Sequence, residues 1–280
     1  MDPMDKIDYT DPQCPFCVDG YRDEPTVHPI DVSSAIAKID EHLHKNDVAG
    51  AERTLNFWIG EARLGCDDRG LLSLKNEQMG MLRKQEGRRD EAIAAAEEAL
   101  ALIEKIGFED TITAATTYVN AATVYKTYEM PEKSMPLFEK ALPIYERELT
   151  DGDMRLGSLY NNMALALVDL ERWDEAEQNY RRALGVMEKA PHGRQEQAIT
   201  YLNMADLLFA RDGMREAELE ILEYIDRAKT LLDDPSIPQD GYHAFVCEKC
   251  APSFGFYGFS GLQRHFEEKA DRIYAAEQEK

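Results

Sequence analysis

Short residues recur along this chain at almost constant spacing: Ala51, Ala92, Ser134, Ala176 and Ala217, at intervals of 41, 42, 42 and 41 residues. Each stands early in a stretch with helical patterning, as in GAERTLNFW, DEAIAAAEEAL, EKSMPLFEKAL, DEAEQNYRRAL and REAELEILEYI. Self-similarity at this period is the mark of stacked helical hairpins. A single hairpin cannot cover its own apolar face, so each must lean on its neighbours, and the fold grows as a rod instead of closing around one core. For such a chain the functional question concerns a long surface more than a pocket.

Breaks near Asn46-Asp47, Asp67-Asp68, Glu86-Gly87, Gly107, Met130-Pro131, Asp151-Gly152, Glu171-Arg172, Pro191-His192-Gly193 and Asp212-Gly213 separate ten helical stretches. They predict five antiparallel helix pairs over 31–233. No segment alternates as a sheet strand would. Within one repeat, Met163, Ala164, Leu167, Ala176, Tyr180 and Ala183 fall on helix faces, the small ones where two helices approach closely. Residues 1–30 hold five prolines and read as an irregular arm, with helix beginning after Asp31 as N-cap. Residues 234–280 read as a C-terminal cap ending in a helix from about Leu262 to Glu277. Pro131 suits a first helical position, whereas Pro136 and Pro143 lie deeper and are expected to bend their helix.

The run LYNNMALALVDLERWDEAEQNYRRALGVMEKA resembles a tetratricopeptide repeat, in its helix-contact alanine, its Trp-Asp-Glu-Ala entry into the second helix and the aromatic-x-x-Ala-Leu that follows. The longer period is similar to that of kinesin light chains. The resemblance covers roughly 31–233 and implies an all-α, right-handed superhelix of about five helix pairs, with small irregular cysteine-containing elements at the two ends. It further implies an inner wall that binds a peptide or helical segment of a partner protein. Fourteen residues before each anchor stand Ala37, Gln78, Asn120, Asn162 and Asn203. By the resemblance this position faces the groove, where a carboxamide, offering both donors and acceptors, can hold a peptide backbone without reading its sequence. The other reading is that these amides tie neighbouring helices or hold groove waters. Asn161, Lys84 and Lys126 are expected on the same wall. The two lysines share a repeated inner position that next holds Val168 and Phe209, so the set of basic residues needed to clamp a terminal carboxylate is incomplete.

The chain carries 54 Asp and Glu against 32 Lys and Arg, a net charge of −22. Such a balance disfavours nucleic acid and anionic membrane surfaces, both polyanions. No apolar run approaches the ~20 residues of a membrane span, and the polar, acidic start does not read as a secretory signal. These features predict a cytoplasmic protein that uses neither nucleic acid nor membrane.

Four of the five cysteines form two Cys-x-x-Cys pairs, Cys14/Cys17 and Cys247/Cys250. In a reducing compartment this spacing suggests metal more than disulfide, and four thiolates suit a tetrahedral Zn2+ site. A shared site would staple the two ends, within one chain or across a homodimer. Two separate sites completed by His28 and by His243 or His265, unligated thiols, and a thiol-based redox or metal sensor are the alternatives. Cys66 reads as a small packing residue. No phosphate-binding glycine loop, zinc-protease helix or nucleophile elbow appears. The sequence therefore points to a non-catalytic scaffold that holds a segment of a partner protein.

Overall fold

The computed structural model describes residues 26–191 and 193–278, and within them twelve α-helices and no strand. In chain order these are α1 (Val32–His44), α2 (Val48–Leu64), α3 (Asp68–Leu82), α4 (Arg89–Ile106), α5 (Ile112–Thr127), α6 (Pro131–Glu148), α7 (Met154–Asp169), α8 (Trp173–Met187), α9 (Gly193–Asp212), α10 (Met214–Leu232), α11 (Gly241–Phe256) and α12 (Ser260–Gln278). The chain divides into two compact units, with the boundary inside α3 between Leu74 and Lys75.

The first unit contains α1, α2 and the opening turns of α3. Aspartates start each helix: Asp31 Oδ1 accepts from the Ser34 amide, and Asp47 Oδ1 from that of Gly50. Asp67 Oδ1 accepts from the Gly70 amide, while its other oxygen takes the Ile30 amide at 3.0 Å. Each bond satisfies an N–H left unpaired at a helix start. The segment before α1 is thereby pinned to the α2–α3 turn, where the His28 amide also donates to the Gly65 carbonyl. A Cβ at Gly65 would come within 2.4 Å of the His28 oxygen, so only glycine fits. Ala35 and Ile39 of α1 pack with Ala51, Leu55, Ile59 and Ala62 of α2 in this unit's core. Cys66 is exposed, at the turn after α2 in a left-handed conformation (φ 52°), which overturns its assignment as a packing residue.

In the second unit the anchors do what their spacing demanded. Ala92, Ser134 and Ala176 are fully buried and Ala217 nearly so, each in the first turns of an even-numbered helix. A larger side chain there would force the paired helices apart. Phe138 and Tyr180, one period apart, are both completely buried and fill equivalent spaces. The Tyr180 hydroxyl has no hydrogen-bond partner among the described residues.

Helix pairing follows chain order: α5 on α6, α7 on α8, α9 on α10 and α11 on α12. The last of these is a further hairpin, where the sequence suggested a cap with one helix. Asp240 starts α11 by accepting from the His243 amide at 2.9 Å. α6 runs as one helix through both of its internal prolines. Its two internal prolines are seven residues apart, hence on one face, and both are exposed, so the carbonyls they leave unpaired can face water.

The turns inside the hairpins share a positive φ that no residue type announces. Gly87, Glu129, Glu171 and Gly213 all have positive φ, at intervals of 42 residues, and Asn46 of the first unit has it too. At Glu129 the following amide, that of Met130, reaches back to the Tyr125 carbonyl. After Glu171 the Arg172 amide reaches the Leu167 carbonyl. This is the Schellman closure, which satisfies carbonyls left over at a helix end and demands one left-handed residue.

Candidate functional site: the odd-helix face of the second unit

Consecutive hairpins contact mainly through the even helix of one and the odd helix of the next, α4 on α5, α6 on α7 and α8 on α9, and the odd helices also touch one another. α5 packs on α7, α7 on α9 and α9 on α11, while the even helices make no comparable contact with one another. Within this unit the odd helices therefore form the tighter, inner layer, and residues facing away from their even partners line the inside of the curve.

The expected amides lie on this layer, half-buried, and most are already engaged. Asn120 Nδ2 donates to Asn76 Oδ1 at 2.8 Å, and Asn76 Nδ2 donates to Thr117 Oγ1 at 3.0 Å, joining α5 to α3. The arrangement repeats two hairpins on. Asn203 Nδ2 and Thr200 Oγ1 both donate to Asn161 Oδ1 at 3.2 Å, joining α9 to α7. A Thr-x-x-Asn on one odd helix thus grips an Asn on the previous one. Asn162 is different: its Nδ2 donates to the Ser158 carbonyl of its own helix, and its Oδ1 has no partner among the described residues. Gln78 accepts from Lys75 Nζ at 2.7 Å, and Lys75 also pairs with Glu98 at 2.7 Å.

Lys84 is exposed and Lys126 half-buried. Burial holds the Lys126 ammonium below its usual pKa, Asp169 opposes this, and the nearby charges of Lys249 and Arg83 add to it. Arg83 is likewise lowered by burial. Neither Arg83, Lys126 nor Lys249 has an ion-pair partner among the described residues, although many other arginines do, among them Arg172 with Glu175 and Arg227 with Glu223. Phe209, expected on the inner wall, meets Phe256 edge-on at 5.1 Å and Tyr257 at 6.2 Å. The Tyr257 hydroxyl donates to Asp206 at 2.7 Å. Asn76, Arg83, Lys249, Phe256 and Tyr257 were not anticipated on this face. Asn76 could have been found from the Thr-x-x-Asn recurrence; the α11 residues lie outside the repeat and carried no such signal.

Cys14 and Cys17 lie outside the described residues. Cys247 and Cys250 are buried on α11. Burial pushes the Cys247 thiol up to about 11 and that of Cys250 to about 12, so both are protonated near neutrality. His243 Nε2 lies 3.6 Å from Cys247 Sγ. Its Nδ1 has no hydrogen-bond partner of good geometry among the described residues, and the Leu232 carbonyl nearby accepts from Lys269 Nζ at 2.6 Å. His265 is turned away, onto Asp233 at 2.9 Å. Among the described residues no three His, Cys, Asp or Glu side chains are grouped so as to hold a metal, and no helix is long and apolar enough to cross a membrane.

The Tetratricopeptide repeat family profile matches residues 71–147 and 155–229, more than half of the chain. The chain belongs to the tetratricopeptide repeat family, whose members generally act as protein–protein interaction scaffolds. Among solved structures it is similar to nearly identical TPR-like repeats assigned to a kinesin light chain of Podosopora anserina. That likeness has a TM-score of 0.52 and 14% identity, and covers 76% of this chain and 98% of the other. A variant of the same repeats matches with a TM-score of 0.53 at 14% identity and the same coverage. At this identity the likeness is one of fold. No curated protein matches the chain.

Proposed function

We propose that the chain is a non-catalytic, cytoplasmic scaffold that holds a peptide segment of a partner protein along the inner faces of α5, α7 and α9. The observation that carries this reading is the half-buried polar row on these helices. Its amides retain unused acceptors, as at Asn162 Oδ1, and it lies beside Lys126, a cation without an ion-pair partner. Groups of this kind bind a peptide backbone with little reorganisation, because their helices already fix them. The test compares partner capture by the native chain, by Thr123→Ala with Asn162→Ala on the inner layer, and by Arg181→Ala with Arg227→Ala on the even helices. Loss confined to the first pair is expected; equal capture by both pairs refutes the reading.

A zinc ion on Cys14, Cys17, Cys247 and Cys250 is a separate proposal, supported by the two Cys-x-x-Cys spacings. The burial and raised pKa of Cys247 and Cys250 weigh against it, because ligation needs thiolates. The same burial weighs against the redox-sensor reading, since sensor thiols are exposed and of low pKa. Metal content of the purified protein, native and Cys247→Ser, decides the first: stoichiometric zinc lost in the variant supports it, and metal-free native protein ends it.

A further inference from the structure

Six residues beyond each anchor stand Phe57, Glu98, Lys140, Arg182 and Glu223, and thirteen beyond stand Leu64, Lys105, Arg147, Lys189 and Thr230. The later hairpins keep this register polar; α2 alone makes it apolar, and does so twice. Residues seven apart share one face of a helix, and here it is the face turned away from the buried row Ala51, Leu55, Ile59 and Ala62. Phe57 is accordingly 59% exposed and Leu64 82%. Gly60 lies between them, and an added Cβ there would meet nothing within 4 Å, so the stripe has open space along its middle. An apolar stripe kept open where every other hairpin is polar marks a docking surface.

The chain itself enters at the end of this stripe. The His28 amide donates to the Gly65 carbonyl at 2.8 Å, directly after Leu64, and the Ile30 amide to Asp67 at 3.0 Å. Val27, just before that tie, is 56% exposed. The 25 residues that precede Thr26 lie outside the described ones, so their point of attachment is fixed beside Leu64. They include Phe16, Val18 and Tyr21. Phe57 lies about 10 Å from Leu64 along α2, and the stretch from Phe16 to Thr26 can span up to about 34 Å, so all three side chains reach the stripe. A short tether holds them there at an effective concentration of order millimolar. Pro12, Pro15 and Pro25 limit the freedom that docking would remove. A second copy fits less well, because three partly exposed side chains fall far short of the about 800 Å² per partner of a stable dimer. Arg53 and Glu61, exposed on the same side of α2, carry opposite charges, which leaves apolar contact to decide the occupant.

We propose that residues 16–25 of this chain dock along α2 as an apolar strap, with Tyr21, nearer the entry, against Leu64 and Phe16 against Phe57. The contact lies within the first compact unit, Met1–Leu74, and is independent of the groove reading.

A benzophenone side chain in place of Phe57 tests it directly. The purified full chain is illuminated and its cross-linked peptides are mapped by mass spectrometry. Cross-links to residues 16–25 at the mass of one chain are expected. Cross-links at the mass of two chains, cross-links to other segments only, or none at all overturn the proposal. Thermal unfolding of Phe57→Ser, of Phe16→Ser with Tyr21→Ser, and of all three together gives the energetic check. The first two variants should each lower the midpoint by a few degrees and the third no further than the larger of them, because both remove the same contact. Losses that add, or unchanged midpoints throughout, overturn it. Phe57 is outside the core, so its variant folds, and circular dichroism confirms the helicity of each.

Discussion

The left-handed turn residues give the sharpest test of how this backbone is held. Gly213 has φ 81° and ψ 163°, a region open in practice to glycine alone. A Cβ there would meet nothing closer than Glu216 Oε2 at 3.7 Å, so Gly213→Ala adds no clash and reports backbone strain alone. That strain is of order 1–3 kcal/mol, and the stiffer unfolded chain returns about 0.4–1 kcal/mol of it. We expect a net loss of about 1–2 kcal/mol. Gly87 has φ 73°, and a methyl added there would meet no heavy atom within 4 Å, so alanine should cost about 1 kcal/mol. The reverse change applies at Glu171, exposed with φ 57°. Glu171→Gly relieves about 1–2 kcal/mol of strain and forfeits about 0.5–1 kcal/mol of chain entropy, a net gain of roughly 0.5–1 kcal/mol. Urea unfolding followed by circular dichroism measures all three, with an unchanged slope as the sign that the unfolded state is the same. A stabilised Gly213→Ala, or a destabilised Glu171→Gly, would refute the argument that the positive φ of these turns is strained for every residue but glycine.

Tyr180→Phe should be neutral or stabilising by about 1 kcal/mol, because the hydroxyl is buried without a partner and Phe138 already fills the equivalent space; thermal unfolding checks it. The raised thiols of Cys247 and Cys250 predict an alkaline loss of stability. Folding favours their protonated forms, so that contribution is complete below the unfolded thiol pKa of about 8.5 and fades as pH climbs toward about 11. Unfolding midpoints from pH 7 to 10.5 should fall, and less steeply in Cys247→Ala. Alkylation at neutral pH with peptide mapping should label exposed Cys66 before either of those two.

The period was legible because the contact between paired helices admits only small side chains, and Ala51, Ala92, Ser134, Ala176 and Ala217 are small for that one reason. The turns were not legible as a series. Asn46, Gly87, Glu129, Glu171 and Gly213 share a positive φ and no chemistry; at Asn46, Glu129 and Glu171 a backbone bond across the turn accompanies it, whereas Gly213, with ψ 163°, lies outside the left-handed helical region. The C-terminal hairpin was obscured by its composition: Pro252, Gly255 and a Cys-x-x-Cys read as a knuckle or cap. Pro252 is exposed near the end of α11, Gly255 gives room to the Gln263 side chain, and the cysteines are buried on a regular helix. The amide row was visible as a column of residues, but one column conceals two uses, since spacing reports the helix face and not the partner across it.

Asn162 and Asn203 separate those uses. Both stand fourteen residues before an anchor, yet Asn203 donates across to Asn161 while Asn162 bonds only within α7. The difference has a cause one turn earlier. Thr200 joins the bond to Asn161, whereas the equivalent position on α7 is Leu159, buried and unable to share in such a tie. Asn203→Ala should therefore cost about 1 kcal/mol of stability, the worth of a lost half-buried hydrogen bond. Asn162→Ala should cost half of that or less, because its bond to Ser158 only competes with the helix's own pattern. If the free Oδ1 of Asn162 holds a ligand, the order reverses for binding: Asn162→Ala weakens peptide capture at nearly native stability, and Asn203→Ala lowers stability first. Equal effects of the two substitutions on both measurements would mean that the whole row serves the helices and that the partner is held elsewhere.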